Sequence, residues 1–191
     1  MESHLSRAET LRAMAHPLRI QIIGSLRVDG PATAALLARR LGTDSGQTSH
    51  HLRHLHRYGF VLDAPELGKG PRGRERWWKA ATETTTWSTD PAQLGPGGAE
   101  AARAMTGAAQ QVWDDLLERY RAEAARLEWS AAWRGAAESG DFVLRTTPAG
   151  LRALWTDVGA AVRDHDRGPD GGDDAEQVVV IVHAFPRRAG R

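Results

Sequence analysis

The sequence predicts an α+β fold that is mainly α, and three observations predict it. Apolar residues recur at helical spacing through most of the first 57 positions. The period then shortens to strand-like runs around a Gly/Pro-rich segment at 65–73, and a long apolar stripe follows residues 81–98, where Thr, Pro and Gly accumulate. The same pattern divides the chain into residues 1–80, a linker at 81–98 with little regular structure, and residues 99–191.

The first stripe, Leu5, Ala8, Leu11, Arg12 and Ala15, stops at His16-Pro17, because proline disfavours helix in the residue before it and suits the first turn of the next. A second helix places Leu18, Ile22, Ile23 and Leu26 on one face and ends near Asp29-Gly30-Pro31. A third follows the N-cap Thr33 and closes at Gly42, where a left-handed cap is wanted. Asp44-Ser45-Gly46-Gln47 reads as a capping box with an acidic cap, in which the Gln47 side chain reaches back to the backbone N–H of Asp44. The fourth helix so begun turns Thr48, Leu52 and Leu55 inward and leaves Ser45, Gln47, Ser49, His50, Arg53, His54 and Arg57 on its outer faces.

After Gly59 come extended runs at 60–64 and 74–80, the arms of a hairpin whose tip carries cations. Trp77 and Trp78 are adjacent on the second arm and so point to opposite faces. Beyond the linker, Ala102, Met105, Ala109, Val112, Trp113, Leu116, Tyr120, Ala124 and Leu127 form the stripe of a helix spanning 99–134. A strand at 141–146, a helix capped by Thr147-Pro148 and running to His165, an Asp/Gly loop and a second strand at 177–185 complete a small β-α-β unit.

The formal net charge of +1 conceals an asymmetry. Residues 1–80 carry 13 Lys and Arg against 7 Asp and Glu, with six of the eight histidines, while the remainder carries 12 against 17. A basic half suits a polyanion, and an acidic half is better used for dimerisation or effector sensing. Without cysteine the chain has no disulfide, thiolate nucleophile or thiolate metal ligand. No apolar run approaches the roughly 20 residues needed to cross a bilayer, and the first residues lack the layout of a signal peptide, so a cytoplasmic protein without membrane association is expected.

Short helices, a turn and a basic hairpin have a specific physical use. The fourth helix fits the DNA major groove, the third crosses the backbone, and the hairpin reaches neighbouring phosphates. Gln47 can pair with adenine and Arg53 with guanine, while Ser45, Ser49, His50, His54 and Arg57 can reach base edges or phosphates. Lys69, Arg72 and Arg74 supply a salt-dependent backbone term from the hairpin. Histidines here that protonate near their ordinary pKa would strengthen binding in mild acid.

The residues Ala13-Met14-Ala15-His16-Pro17-Leu18-Arg19-Ile20, Ser49-His50-His51-Leu52-Arg53-His54-Leu55 and Gly59-Phe60-Val61 together resemble the ArsR-type winged helix-turn-helix regulators over roughly residues 5–80. The resemblance implies a homodimeric, sequence-specific regulator of double-stranded DNA, usually a repressor, whose fourth helix enters the major groove of a pseudo-palindromic operator. The long helix at 99–134 exceeds the usual length, needs a partner along it and is expected to contribute most of the dimer interface. The tail, with Phe142-Val143-Leu144-Arg145 and Val182-His183-Ala184-Phe185-Pro186, is similar to the C-terminal extension of an actinobacterial subgroup.

Other readings compete. A winged helix can serve as a protein-interaction module without sequence preference, or its C-terminal unit can dominate as a small-molecule sensor. The aromatic residues Trp113, Trp129, Trp133, Phe142 and Trp155 would then line an effector pocket. No cofactor or metal is expected. His50 and His54 share a face but lack a third ligand, and Gly168 breaks the calcium-loop spacing within 164–174. The sequence shows no nucleophile elbow, phosphate-binding loop, dinucleotide fingerprint or zinc-protease motif, so an enzyme is not expected.

Overall fold

The contacts of the chain, in a computed structural model, divide it into two units, Met1–Arg126 and Leu127–Arg191. The described residues are 2–5, 7–70, 73–88, 90–166, 168, 172 and 174–188.

The first unit begins with β1 (Glu2–Leu5), followed by α1 (Ala8–Met14) and α2 (Pro17–Val28). Leu5 therefore belongs to a strand and not to the first helix; its side chain is buried all the same, which is why it fits a helical stripe. The break before α2 is fixed as expected. Pro17 occupies the first turn, where its missing N–H costs nothing, and the His16 ring accepts a hydrogen bond from the Leu18 N–H at 3.1 Å.

After β2 (Ala32–Thr33), α3 (Ala34–Leu41) is capped by the Thr33 hydroxyl and closed by Gly42 at φ +63, a backbone conformation that glycine adopts without strain. The next helix, α4 (Ser45–Arg57), starts where Asp44 Oδ1 accepts from the Gln47 N–H at 2.8 Å. The other half of the capping box does not form, because Gln47 Oε1 instead accepts from the Thr43 hydroxyl at 3.3 Å. Gly59, at φ +75, turns the chain out of α4.

The hairpin is built from β3 (Val61–Asp63), β4 (Lys69–Gly70), β5 (Gly73–Arg74) and β6 (Trp77–Ala80). β6 lies centrally between β2 and β3, antiparallel to both, with Val61 opposite Ala80 and Asp63 opposite Trp78. β4 and β5 pair separately, Lys69 opposite Arg74, and extend the hairpin as a wing. Of the adjacent tryptophans, Trp78 is the buried one.

The expected linker contains structure. β7 (Thr84–Trp87) pairs parallel to β1, and α5 (Pro91–Leu94) is capped by Asp90. Arg27 holds this segment to α2 by donating to the Thr82 carbonyl at 2.8 Å and to the Thr85 hydroxyl at 2.7 Å.

The long helix α6 (Gly98–Ala125) packs on α1 and α2 through Ala101, Ala102 and Met105, so its first half belongs to the N-terminal core. Leu11, Ile22, Leu37, Leu52, Leu55 and Val61, all fully buried, form the rest of that core. The helix ends nine residues before the expected Arg134. Leu127 takes φ +59, which a helix cannot continue through, and Ser130 caps a separate short α7 (Ala131–Ala136).

In the second unit the expected helix is present as α8 (Pro148–His165), with the Thr147 hydroxyl accepting from the Gly150 N–H at 3.1 Å. The two expected strands are not. Residues 141–146 and 177–185 form no ladder, and their apolar side chains stand in solvent, Phe142 at 93% exposure. A strand exists only through ladder hydrogen bonds, and neither segment forms a ladder here. The Asp/Gly loop lies largely outside the described residues. Among those described, no helix is long and apolar enough to cross a membrane.

Candidate nucleic-acid interface

The site is organised by the buried face of α4. Thr48, Leu52 and Leu55 are fully buried, and the Thr48 hydroxyl donates to the Asp44 carbonyl at 2.9 Å, which ties the inward face to the cap. Helical periodicity then carries Ser45, Gln47, His50, Arg53 and Arg57 outward, and all five are exposed. Gln47 accepts from Thr43 through its oxygen and keeps its amide NH2 as a donor. Ser49 and His54 are half-buried.

His54 is drawn aside. Its ring lies 5.1 Å from that of Tyr58, and its Nε2 is enclosed without a hydrogen-bond partner among the described residues. Desolvation, followed by the nearby Arg19, Arg57 and His50, lowers its pKa. His51 is buried altogether. It accepts a hydrogen bond from the Arg19 Nε–H at Nδ1, 3.2 Å away, and its ring lies 4.5 Å from that of His16. Burial, with His16, Arg19, His50 and His54 adding repulsion, lowers its pKa to about 4. Arg19 also donates to the Ala13 carbonyl at 2.8 Å, so one guanidinium joins the end of α1, the start of α2 and the middle of α4.

Two of the α4 histidines, His51 and His54, thus have lowered pKa values, chiefly through burial, so acid opposes their placement instead of adding charge there. Sequence reading did not find His16 and Arg19 as partners of α4. The pair sits 32 residues and more from His51, and nothing local signals the contact. No group of His, Asp or Glu among the described residues is placed to hold a metal ion.

The wing meets α4 at a compact polar root. Arg76 donates two hydrogen bonds to Asp63, at 2.6 and 2.8 Å, and its guanidinium lies 4.1 Å from the ring centroid of Trp78. The Asp63 carboxyl is held below the usual carboxylate range, first by that hydrogen bond. From the last turn of α4, His56 approaches the same carboxylate at 4.0 Å, packs edge-on to Trp78 at 5.3 Å, and lies 3.1 Å through Nδ1 from the Val61 carbonyl. Of the three wing cations, Lys69 is in register with Arg74 in the β4–β5 pair, and Arg72 lies outside the described residues.

The aromatic residues are divided between the two units. Trp113 stacks on Trp87 at 6.1 Å, and the Trp87 indole N–H donates to the Thr106 hydroxyl at 3.1 Å. This makes Trp113 part of the N-terminal unit's packing. Trp129, Trp133, Phe142 and Trp155 belong to the second unit. There an open cleft of about 530 Å³ is lined by Pro148, Leu151, Arg152, Trp155, Thr156 and Ala184. Only Trp155 of the four reaches it.

Residues 14–63 match the family model described as a helix-turn-helix domain, which spans the end of α1, all of α2 to α4 and the first strand of the wing. The chain therefore contains a helix-turn-helix domain. No curated protein matches it. Solved structures with some similarity include reduced HlyU from Vibrio cholerae N16961, 26% identical over 38% of this chain and 70% of that one, with a TM-score of 0.31. The transcriptional regulator PA4135 is 18% identical over 69% of this chain and 90% of that one, at a TM-score of 0.32. A mutant of ZitR from Lactococcus lactis is 10% identical over 83% and 75%, at 0.25.

Proposed function

We propose that this protein is a sequence-specific DNA-binding transcriptional regulator, acting as a homodimeric repressor of the ArsR type on a pseudo-palindromic operator. The observation that carries the reading is the division of α4. One face is locked into the core by Thr48, Leu52 and Leu55, and the other presents Ser45, Gln47, His50, Arg53 and Arg57 beside a basic wing. A helix so fixed presents donors of the right kind to major-groove base edges, Arg to guanine and Gln to adenine. Lys69, Arg72 and Arg74 would contact phosphate and position the helix without reading sequence.

Dimerisation is assigned to α6, with a refinement that follows from its packing. Its first half is occupied by α1 and α2 of the same chain, so the second half is the part left for a partner, where Leu116 and Leu117 are 39% and 37% exposed. Two α4 helices about 34 Å apart would then enter successive major grooves.

A gel shift with genomic fragments, including the region upstream of the protein's own reading frame, tests the proposal. A discrete complex that survives excess random competitor supports it. Binding that random DNA removes completely would instead favour a winged helix used as a protein-interaction module.

A further inference from the structure

The polar root of the wing carries an inference that rests on the DNA-binding reading and deepens it. Asp63 stands at the end of β3 and Arg76 just before β6, so their two hydrogen bonds close the hairpin at the point where the wing leaves the three-stranded sheet. The planar guanidinium is fixed twice, by a bidentate carboxylate on its edge and by the Trp78 ring beneath its face. Trp78 is itself buried, so the support is rigid. His56 connects this assembly to the last turn of α4.

Both members of the pair are substantially exposed, with Arg76 at 52% and Asp63 at 40% of their side-chain surface. Exposed ion pairs contribute little to global stability, whereas a forked, stacked arginine constrains direction strongly. Arg76 is also spent on these contacts: its Nε and one terminal nitrogen both face Asp63. It is therefore poorly placed to act as another phosphate ligand like Lys69 or Arg74.

We infer that Arg76, clamped between Asp63 and Trp78 and tied through His56 to the recognition helix, is a positioning residue that sets the angle of the wing relative to α4. The wing cations then meet phosphate at a fixed distance from the base-reading face. Loosening the clamp leaves base recognition by α4 in place and degrades the wing's contribution alone.

The chain's lack of cysteine allows a direct test, because two introduced cysteines are the only thiols available for labelling. Spin labels at Ala35→Cys in α3 and Lys69→Cys in the wing report the wing's position in the full chain without DNA. The clamped wing gives a narrow distance distribution. Arg76→Ala and Asp63→Asn should each broaden it at an essentially unchanged melting temperature, and Arg76→Lys, which keeps the charge but loses the fork, should restore it only in part. A distribution as narrow in Arg76→Ala as in the parent overturns the inference, and so does broadening that appears only with a collapse of the melting temperature.

In unlabelled protein, Arg76→Ala should weaken binding about tenfold, both to a duplex carrying the footprinted site and to a random duplex of equal length. The slope of log affinity against log salt should fall by about 2. A loss confined to the footprinted duplex would mean that Arg76 reads bases, against the inference. If the parent protein shows no preference between the duplexes, the regulatory reading fails while the label distances still decide the role of Arg76.

Discussion

The two units of this chain use similar sequence patterns and reach opposite outcomes. In the first, apolar residues at helical and strand spacing become a close-packed core with Leu11, Leu37, Leu52 and Leu55 removed from solvent. In the second, the run from Val178 to Val182 is just as apolar, yet no described residue beyond Arg126 is buried. The difference lies in what each pattern requires. Helices α2, α3 and α4 of the first unit are bounded by their own local signals, Pro17, Thr33, Gly42 and Asp44, and meet partners in the same unit. A strand has no such autonomy, and its ladder must come from elsewhere.

The sharpest way to break this comparison is by truncation in both units. Leu52→Ala should cost about 2–5 kcal/mol in chemical denaturation, through lost transfer energy and a cavity that α2 and α3, packed on α4, cannot close. Val180→Ala should lie within about 0.5 kcal/mol, as is usual for exposed sites. Equal costs would mean that the second unit has a core of its own.

Function should divide within the first unit in the same way. Arg53→Ala is expected to lose about 1–3 kcal/mol on the footprinted site and little on random DNA, read by competition gel shift. Arg72→Ala should weaken both alike. Matching losses for Arg53→Ala on the two DNAs would remove its base-reading role.

Acid provides a third comparison. His51 is held down from 6.5 to about 4, so the unfolded chain takes up this proton first. The stabilisation from a neutral His51 is complete above about pH 6.5 and is lost as the pH falls toward 4. Far-ultraviolet circular dichroism across that window should show the first unit weakening. His51→Gln, which cannot be protonated, should flatten the response, and an unchanged profile would contradict the Arg19–His51 contact. A modest effect is expected at the cap, where Asp44→Ala should cost about 1 kcal/mol of thermal stability.

The parts of the fold legible in the sequence are those governed by neighbours a few residues away. The caps of α2, α3, α4 and α8, the inward set Thr48, Leu52 and Leu55, and the hairpin all follow from such spacings. What escaped depends on distance along the chain. β7 pairs with β1 across some 80 residues, so its Thr-rich sequence reads as a linker until the partner is seen. The apolar stripe of α6 continues past Ala125 because periodicity does not register a single backbone reversal at a non-glycine residue, Leu127. In the interface, the outward residues of α4 could be read from the helix alone. The embrace of His51 by Arg19 and His16, and the clamp of Arg76 by Asp63 and Trp78, needed the tertiary arrangement.

The claim at the centre of this account is that the outward face of α4 reads DNA sequence from a dimer. Footprinting of the purified protein along genomic fragments tests it most directly. The account predicts one discrete protected region with two related half-sites whose centres lie about 10 base pairs apart, retained at a salt concentration that removes non-specific binding. Diffuse protection that follows protein concentration and disappears with salt would contradict it.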